Sequence, residues 1–376
     1  MTRAAERSVL QFCHSYDAPF LDCARQYASL FAGTAYRVTT VFLTGAADAD
    51  VAAACASDDV VFLEYRSQAI RGLKLGAIRD VRKLVASRNF SFCIAHRFKP
   101  VYIALLATCL PVIGVHHGFA DYQRPTRKLF AHLFRQRLSL LGVSDAVRDD
   151  IRRCLPSWSP QRIATLYNRI DIAALQGQQL PAADARARLG LAADAWVVGN
   201  VSRLHPDKDQ ATLLHGFAAA LPGLPQNSQL AILGSGRLEQ PLKKLASELN
   251  IADRLRFFGQ VADARCYFRA FDVFALSSDH EPFGMVLLEA MAAGVPLVAT
   301  DCGGAREVVN GVGTLFPLRD VQCLSQSLQH LAAWDEQQRQ LCAKRMHERL
   351  AERFCDGAGR AAFWQLPQVV DLTARV

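Results

Sequence analysis

Ser277-Ser-Asp-His-Glu281-Pro-Phe-Gly284-Met-Val-Leu-Leu-Glu289-Ala-Met-Ala-Ala-Gly294-Val-Pro296 follows an apolar run at 273–276. That run reads as a strand, so Glu281, just before Pro282, falls on the loop at its carboxyl end. A helix is expected from near Gly284, with Glu289 one turn inside it. Gly294 closes the helix and Pro296 prevents its continuation. In a sheet built from strand–loop–helix units, ligands bind outside the carboxyl ends of the strands. Two carboxylates at such a mouth suit a ligand rich in hydroxyls, a sugar or a ribose, because each carboxylate accepts several hydrogen bonds. Glu289 alone is equally well explained as a helix-start carboxylate favoured by the helix dipole.

The same alternation extends in both directions. Strand-like runs are expected at 9–13, 38–43, 60–63, 90–95, 112–115, 138–143 and 163–167, with helical patterns such as 19–31 and 74–87 between them. The segment 176–194, rich in Gln, Ala and Asp, reads as a linker with a short helix. Runs at 196–201, 229–233, 255–258, 273–276, 296–300 and 314–316 then resume the pattern. Continuous apolar strands alternating with helices imply parallel sheets covered on both faces. The expected fold is α/β: two doubly wound Rossmann-like domains, 1–175 and 176–350, facing each other across a cleft. Residues 351–376, with Phe354, Phe363 and Trp364, are expected to form a helix packing back toward the first domain.

The chain has 376 residues, enough for two cores. Its 51% hydrophobic and 21% charged residues exclude a disordered chain. No uncharged apolar stretch is long enough to span a membrane; the longest, 101–115, contains Pro111 and Gly114. The opening Met-Thr-Arg-Ala-Ala-Glu-Arg has no apolar core, so no signal peptide is expected. The eleven cysteines are scattered, and Cys13, Cys93 and Cys109 lie in apolar runs. They read as buried thiols in a reducing compartment. The net charge of +8 favours a polyanionic partner or a phosphorylated substrate. Zinc spacing, a helix-turn-helix and an aromatic-interleaved basic groove are all missing, which argues against nucleic acid.

In the second half each strand end carries a group suited to one ligand. Arg203 and Lys208 follow the run 196–201 and form a possible diphosphate clamp. Gly234-Ser-Gly236-Arg237 lets backbone N–H groups approach a phosphate, although a plain tight turn explains the glycines as well. Gly259-Gln-Val261 offers backbone to a base edge. Together they would assign the diphosphate to cations and glycines, the ribose to Glu289 and the sugar hydroxyls to Glu281.

Glu281-Pro-Phe283-Gly284-Met285-Val286, Glu289-Ala-Met-Ala-Ala-Gly294-Val-Pro296, Gly303-Gly304 and Glu307 resemble the donor-site signature of retaining GT-B glycosyltransferases of family 4. Ser202-Arg203 with Lys208 is similar to that family's diphosphate-binding pair. Tyr167-Asn-Arg169-Ile-Asp171 is similar to its interdomain run, with Arg169 in place of a common Gly. The resemblance covers about 165–320. It implies hexose transfer from a nucleotide-sugar, by family habit a UDP-sugar, with retained anomeric configuration and without cofactor or metal. Asp48-Ala-Asp50 reads as a loop or helix cap, not a metal site. Catalytic roles are implied for His117, Glu281, Arg203 and Lys208. Donor contacts are implied for Arg203, Lys208, Gly234, Gly236, Gly259, Val261, Glu281, Phe283, Gly284, Met285, Val286 and Glu289.

The first half is less informative. His116 and His117 end a strand, and Gly118 singles out His117 as the match to a family histidine. His14-Ser-Tyr-Asp17 occupies the family's Gly-rich first loop but lacks its glycines. His14, Asp17, His116, Arg124 and Arg127 are candidate acceptor contacts. Residues 124–137 form a basic amphipathic stretch that packs as an ordinary helix, rests on anionic headgroups or receives acceptor phosphates. The expected protein is a monomeric cytoplasmic enzyme, peripheral on the inner membrane, glycosylating a glycan or lipid-linked acceptor. Lipopolysaccharide core ranks first among acceptors. A nucleotide-sugar epimerase or hydrolase, or a basic nucleic-acid-binding protein, are the alternatives.

Overall fold

The computed structural model describes residues 7–17 and 19–374. The chain divides into two compact units. The first runs to Asn168 and resumes at Asp356; the second is Arg169–Cys355.

The first unit is a seven-stranded parallel sheet. Its strands are β1 (Arg7–Cys13), β2 (Tyr36–Phe42), β3 (Asp59–Phe62), β4 (Phe90–His96), β5 (Val112–His116), β6 (Leu138–Gly142) and β7 (Ile163–Thr165). They lie in the order β3-β2-β1-β4-β5-β6-β7. β5 and β6 are buried along their whole length, which is why their sequences are mostly apolar rather than alternating.

The second unit holds β8 (Val197–Val201), β9 (Gln229–Leu233), β10 (Leu255–Phe257), β11 (Val273–Leu276), β12 (Leu297–Thr300) and β13 (Thr314–Phe316). Their order is β10-β9-β8-β11-β12-β13, again parallel. Val198, Leu230, Ile232 and Val273 pack with Leu213, Leu214 and Phe217 of one helix and with Leu324 and Leu328 of another. In both sheets the strand order reverses once, between β1 and β4 and between β8 and β11. At such a point neighbouring connections leave to opposite faces, and the strand ends open into a crevice.

The segment 176–194 is not a linker. The helices Ile172–Gln178 and Ala182–Leu189 are part of the second unit. Arg186 is ion-paired to Asp272 at 2.7 Å and donates to the Ala270 carbonyl, while the Leu180 N–H bonds to the Cys266 carbonyl. Part of the polar composition there serves hydrogen bonding within the unit, through Gln176, Gln179 and Arg186. The boundaries accordingly fall at 168/169 and 355/356, rather than 175/176 and 350/351. Ile170 pairs with Cys355 in a parallel bridge, so the two ends of the second unit lie side by side. Arg169 is fully buried.

The helix Asp356–Gln365 completes the first unit. Phe363 is fully buried against Phe31, and the Trp364 indole N–H donates to the Leu30 carbonyl at 3.0 Å. Arg360 bonds to the Ser29 carbonyl, and Asp356 pairs with Arg25 at 2.7 Å. All eleven cysteines are free. Cys13 and Cys93 are buried, but Cys109 is exposed, because it sits on the surface turn after the helix Phe98–Ala107 rather than inside the apolar run. Asp48 caps the helix Ala49–Ala54 by accepting from the N–H groups of Asp50 and Val51. Among the described residues no helix is long and apolar enough to cross a membrane. Replacing Phe363 with Ala should destabilise the first unit by about 3–5 kcal/mol, as a buried aromatic truncation does; urea unfolding followed by tryptophan fluorescence measures it.

Candidate active site

The second unit's site forms where its strand order reverses. β8 leads into Ser202–Lys208 and β11 into Ser277–Gly284, and these loops are tied together. The Ser277 hydroxyl donates to the Lys208 carbonyl at 3.0 Å, and the Asp279 N–H to the Asp207 carbonyl at 3.0 Å. Lys208 Nζ then meets Glu281 Oε2 at 2.7 Å, with side chains only 15% and 9% exposed. Ser278 donates to the same oxygen at 3.2 Å. The sequence named Lys208 and Glu281 separately; the structure makes them an ion pair. Burying two charges costs desolvation energy that a pair only partly regains, so such a pair is weak evidence for stability and stronger evidence for a task.

The Glu281 loop is held from behind. Gly304, at the start of the helix Gly303–Val309, donates its N–H to the Glu281 carbonyl at 2.8 Å. A Cβ on Gly304 would lie 2.4 Å from the Pro282 carbonyl oxygen, so only glycine admits this approach. Phe283 is buried and packs edge-on to Phe354. Gly284, with φ +94°, caps the helix Met285–Ala292. Met285, Val286 and Glu289 are half-buried on that helix.

The glycine loop after β9 packs on the loop after β8. Gly234 (φ +142°) would place a Cβ 1.9 Å from the Ser202 carbonyl oxygen, and Gly236 one 2.3 Å from that of Leu204. The Gly234 N–H bonds to the Gly259 carbonyl at 2.7 Å, which also sets the turn leading to Val261. The close packing of loops accounts for these glycines without a ligand. Arg203 stays 73% exposed, with a 3.5 Å contact to Asp207. Gln210, which the sequence reading passed over, holds its backbone: Gln210 donates to the Ser202 hydroxyl and to the Arg203 carbonyl. Asp207, also passed over, engages both Arg203 and His205. Its place between two named cations was the available signal.

In the first unit, groups gather beyond β1, β4 and β5. His116 was expected at the acceptor; the structure instead buries it completely. Its Nδ1 meets Asp121 Oδ2 at 2.7 Å and its Nε2 the Tyr122 hydroxyl at 3.1 Å, so both nitrogens are occupied inside the fold. His117 is half-buried. Its Nε2 lies 3.1 Å from His96 Nδ1, the rings stack 5.3 Å apart, and its Nδ1 is 3.8 Å from Cys23 Sγ. Burial, helped by His116 and Arg97, holds the His117 pKa down to about 3. Burial and then His117 hold His96 well below the ordinary range. His14 is lowered to about 4 by burial, Arg97 and Lys99. All three imidazoles are therefore neutral near pH 7. His96 was missed because the β4 run was ended at Ala95; the strand-end rule pointed one residue further.

Asp17 is exposed, and its carbonyl accepts from the Phe20 N–H. Arg124 is exposed at the start of the helix Pro125–Leu133. Arg127 is less available than expected, because it pairs with Asp121 at 2.7 Å and lies 4.5 Å over the Phe98 ring. Burial opposes ionisation of Asp121, but its bonds to His116 and Arg127 prevail and hold its carboxyl below the usual range.

Two sequence models match the chain in series. Glycosyltransferase Family 4 matches residues 24–174 and Glycosyl transferases group 1 matches residues 182–346. The lipopolysaccharide core biosynthesis glycosyltransferase LpsE of Rhizobium meliloti (strain 1021) is 36% identical over 185 residues, covering 48% of this chain and 52% of LpsE. The putative glycosyltransferase EpsF of Bacillus subtilis (strain 168) is 33% identical over 238 residues, covering 60% of this chain and 61% of EpsF. The chain thus spans about half the length of the first relative and somewhat more of the second. Among solved structures, a glycosyltransferase from Rickettsia africae ESF-5 superposes with a TM-score of 0.82 at 13% identity, over 99% of this chain and 100% of that one. Anabaena Alr3699/HepE in complex with UDP superposes with a TM-score of 0.78 at 19% identity, over 98% of this chain and 100% of that one. Two parallel-sheet Rossmann-like units, each carrying the matching model, are the GT-B arrangement, and the chain belongs to the glycosyl transferases group 1, family 4.

Proposed function

We propose that the protein transfers a hexose from a nucleotide-sugar to a glycan or lipid-linked glycan, retaining the anomeric configuration and using no metal. The observation that carries this reading is the buried Lys208–Glu281 pair at the point where the second sheet reverses its order. Lys208 and Arg203 stabilise charge on the departing diphosphate, where it develops during transfer. Glu281 orients the hydroxyls of the donor sugar. Glu289 receives the ribose, and the amino end of the helix Met285–Ala292 faces the phosphates, a favourable arrangement for an anion. UDP is the first candidate nucleotide, supported by the UDP complex of the Anabaena neighbour. A bacterial surface glycan, lipopolysaccharide core first, is the acceptor that the likeness to LpsE supports. His117 contributes as a neutral imidazole, able to donate or accept but carrying no charge.

Calorimetry with UDP-, GDP- and ADP-sugars tests the donor assignment, and binding of none of them would overturn the reading. Rapid loss of the sugar from the donor without acceptor would instead indicate a hydrolase or epimerase.

The double variant Lys208→Met with Glu281→Leu should fold with neutral or improved stability, since an apolar pair avoids the desolvation cost. Its transfer rate should fall by at least about 10²-fold, the scale of losing transition-state charge stabilisation. Radiolabelled sugar transfer and thermal melting read the two effects separately. The neutral histidines give a pH prediction. Unfolded, they protonate near 6.5; folded, His14 and His117 do so only near 4 and 3. The folded state binds fewer protons in that window, so stability is full above about 6.5 and is lost as pH falls toward 4 and below. Urea midpoints across this range should decline on acidification, and more shallowly for His117→Gln.

A further inference from the structure

Seven large hydrophobic side chains are exposed among the described residues, and four of them are Leu73, Leu75, Leu129 and Leu133, at 67–75% exposure. They come from two stretches of the first unit, 66–75 and 122–137. The helix Pro125–Leu133 was open to three readings from sequence: a packing helix, a headgroup-binding one or a site for acceptor phosphates. Leucines left 72% and 75% exposed do not pack against the protein. The second stretch was not anticipated at all.

A shared aromatic floor joins the two stretches. Lys74 Nζ lies 4.7 Å over the Tyr102 ring, Tyr102 is 4.9 Å from Phe130, and Phe130 is 4.8 Å from Phe134. Burial, and then Lys99 and Arg127, hold the Lys74 ammonium below its usual pKa, so a cation of one stretch lies close to one of the other.

The charge on this face has one sign. The two stretches carry Arg66, Arg71, Lys74, Arg124, Arg127, Lys128, Arg135 and Arg137, and no Asp or Glu. Carboxylates adjoining the two stretches are engaged within the unit: Asp121 by His116 and Arg127, Asp80 by Tyr65 and Arg79, and Glu64 by the Ala47 N–H. We propose that this face docks on an anionic lipid bilayer, with the four leucines at the level of the acyl boundary and the cations among the headgroups. Protruding leucines within a cationic surface are complementary to such a bilayer on both counts. A second copy of the chain is a poor occupant, because a two-fold contact would set the exposed Arg71, Arg124 and Arg135 against the same cations of the other copy. The proposal does not depend on sugar transfer; vesicle binding can succeed or fail whatever the donor and acceptor prove to be.

The test is cosedimentation of the full chain with phosphatidylcholine vesicles, with and without phosphatidylglycerol. Binding is expected only with the anionic lipid and should weaken as salt rises. Neutralising Arg71, Lys128 and Arg135 to Gln should lower the partition coefficient about fivefold per charge. Replacing Leu73, Leu75, Leu129 and Leu133 with Ser should lower it by at least about tenfold with the salt dependence retained. Unchanged melting temperatures confirm folding; if the fourfold variant melts early, the pairs Leu73→Ser with Leu75→Ser and Leu129→Ser with Leu133→Ser replace it. No sedimentation of the wild-type chain at low salt, or equal sedimentation of the serine and wild-type chains, overturns the proposal. So does concentration-dependent dimerisation that the serine variant abolishes while vesicle binding persists.

Discussion

The arrangement of the second unit depends on one contact, the Lys208–Glu281 ion pair. The two residues are far apart in sequence and reach each other only because β8 and β11 are neighbours. Everything around them enforces the meeting. Ser277 and Asp279 fasten the two loops, Ser278 shares the Glu281 carboxylate, and Gly304 presses on the backbone behind it. A pair enclosed this fully is costly to leave without polar partners. A ligand that displaces either group must therefore bring its own charge and hydroxyls, which is what a sugar diphosphate carries.

The first unit follows a different electrostatic logic. The groups beyond β1, β4 and β5 include three imidazoles held neutral by burial and by nearby cations. His116 and Asp121 form a closed hydrogen-bonded group with Tyr122 and Arg127. The second unit's site is built on a buried ion pair, and the first unit's group on neutral imidazoles set beside cations.

Much of this was legible from the residues. The strands were visible because parallel strands buried on both faces read as uninterrupted apolar runs, and β9, β11 and β13 fall where those runs were marked. The motif around Glu281 was visible because its glycines and prolines mark turns that physics restricts. Three things were hidden. The segment 176–194 looked like a linker because its hydrogen bonds go to Asp272, Ala270 and Cys266, partners about 80 residues away or more, beyond any local pattern. The burial of His116 was invisible because a histidine at a strand end reads the same whether it faces a ligand or an aspartate. Leu73 and Leu75 lie at the start of the helix Leu75–Ala86, where the pattern marks a helix but not how exposed its first residues are.

The return of the chain to the first unit at Asp356 has a consequence for biosynthesis. During translation the second unit is complete once Cys355 has emerged, and its ends already meet where Ile170 pairs with Cys355. The first unit, begun earlier, still lacks Phe363 and Trp364, which cover Phe31 and Tyr36. Its aromatic surface stays open to water, or to a chaperone, until the helix Asp356–Gln365 has been made. The unit synthesised first is thus the one finished last.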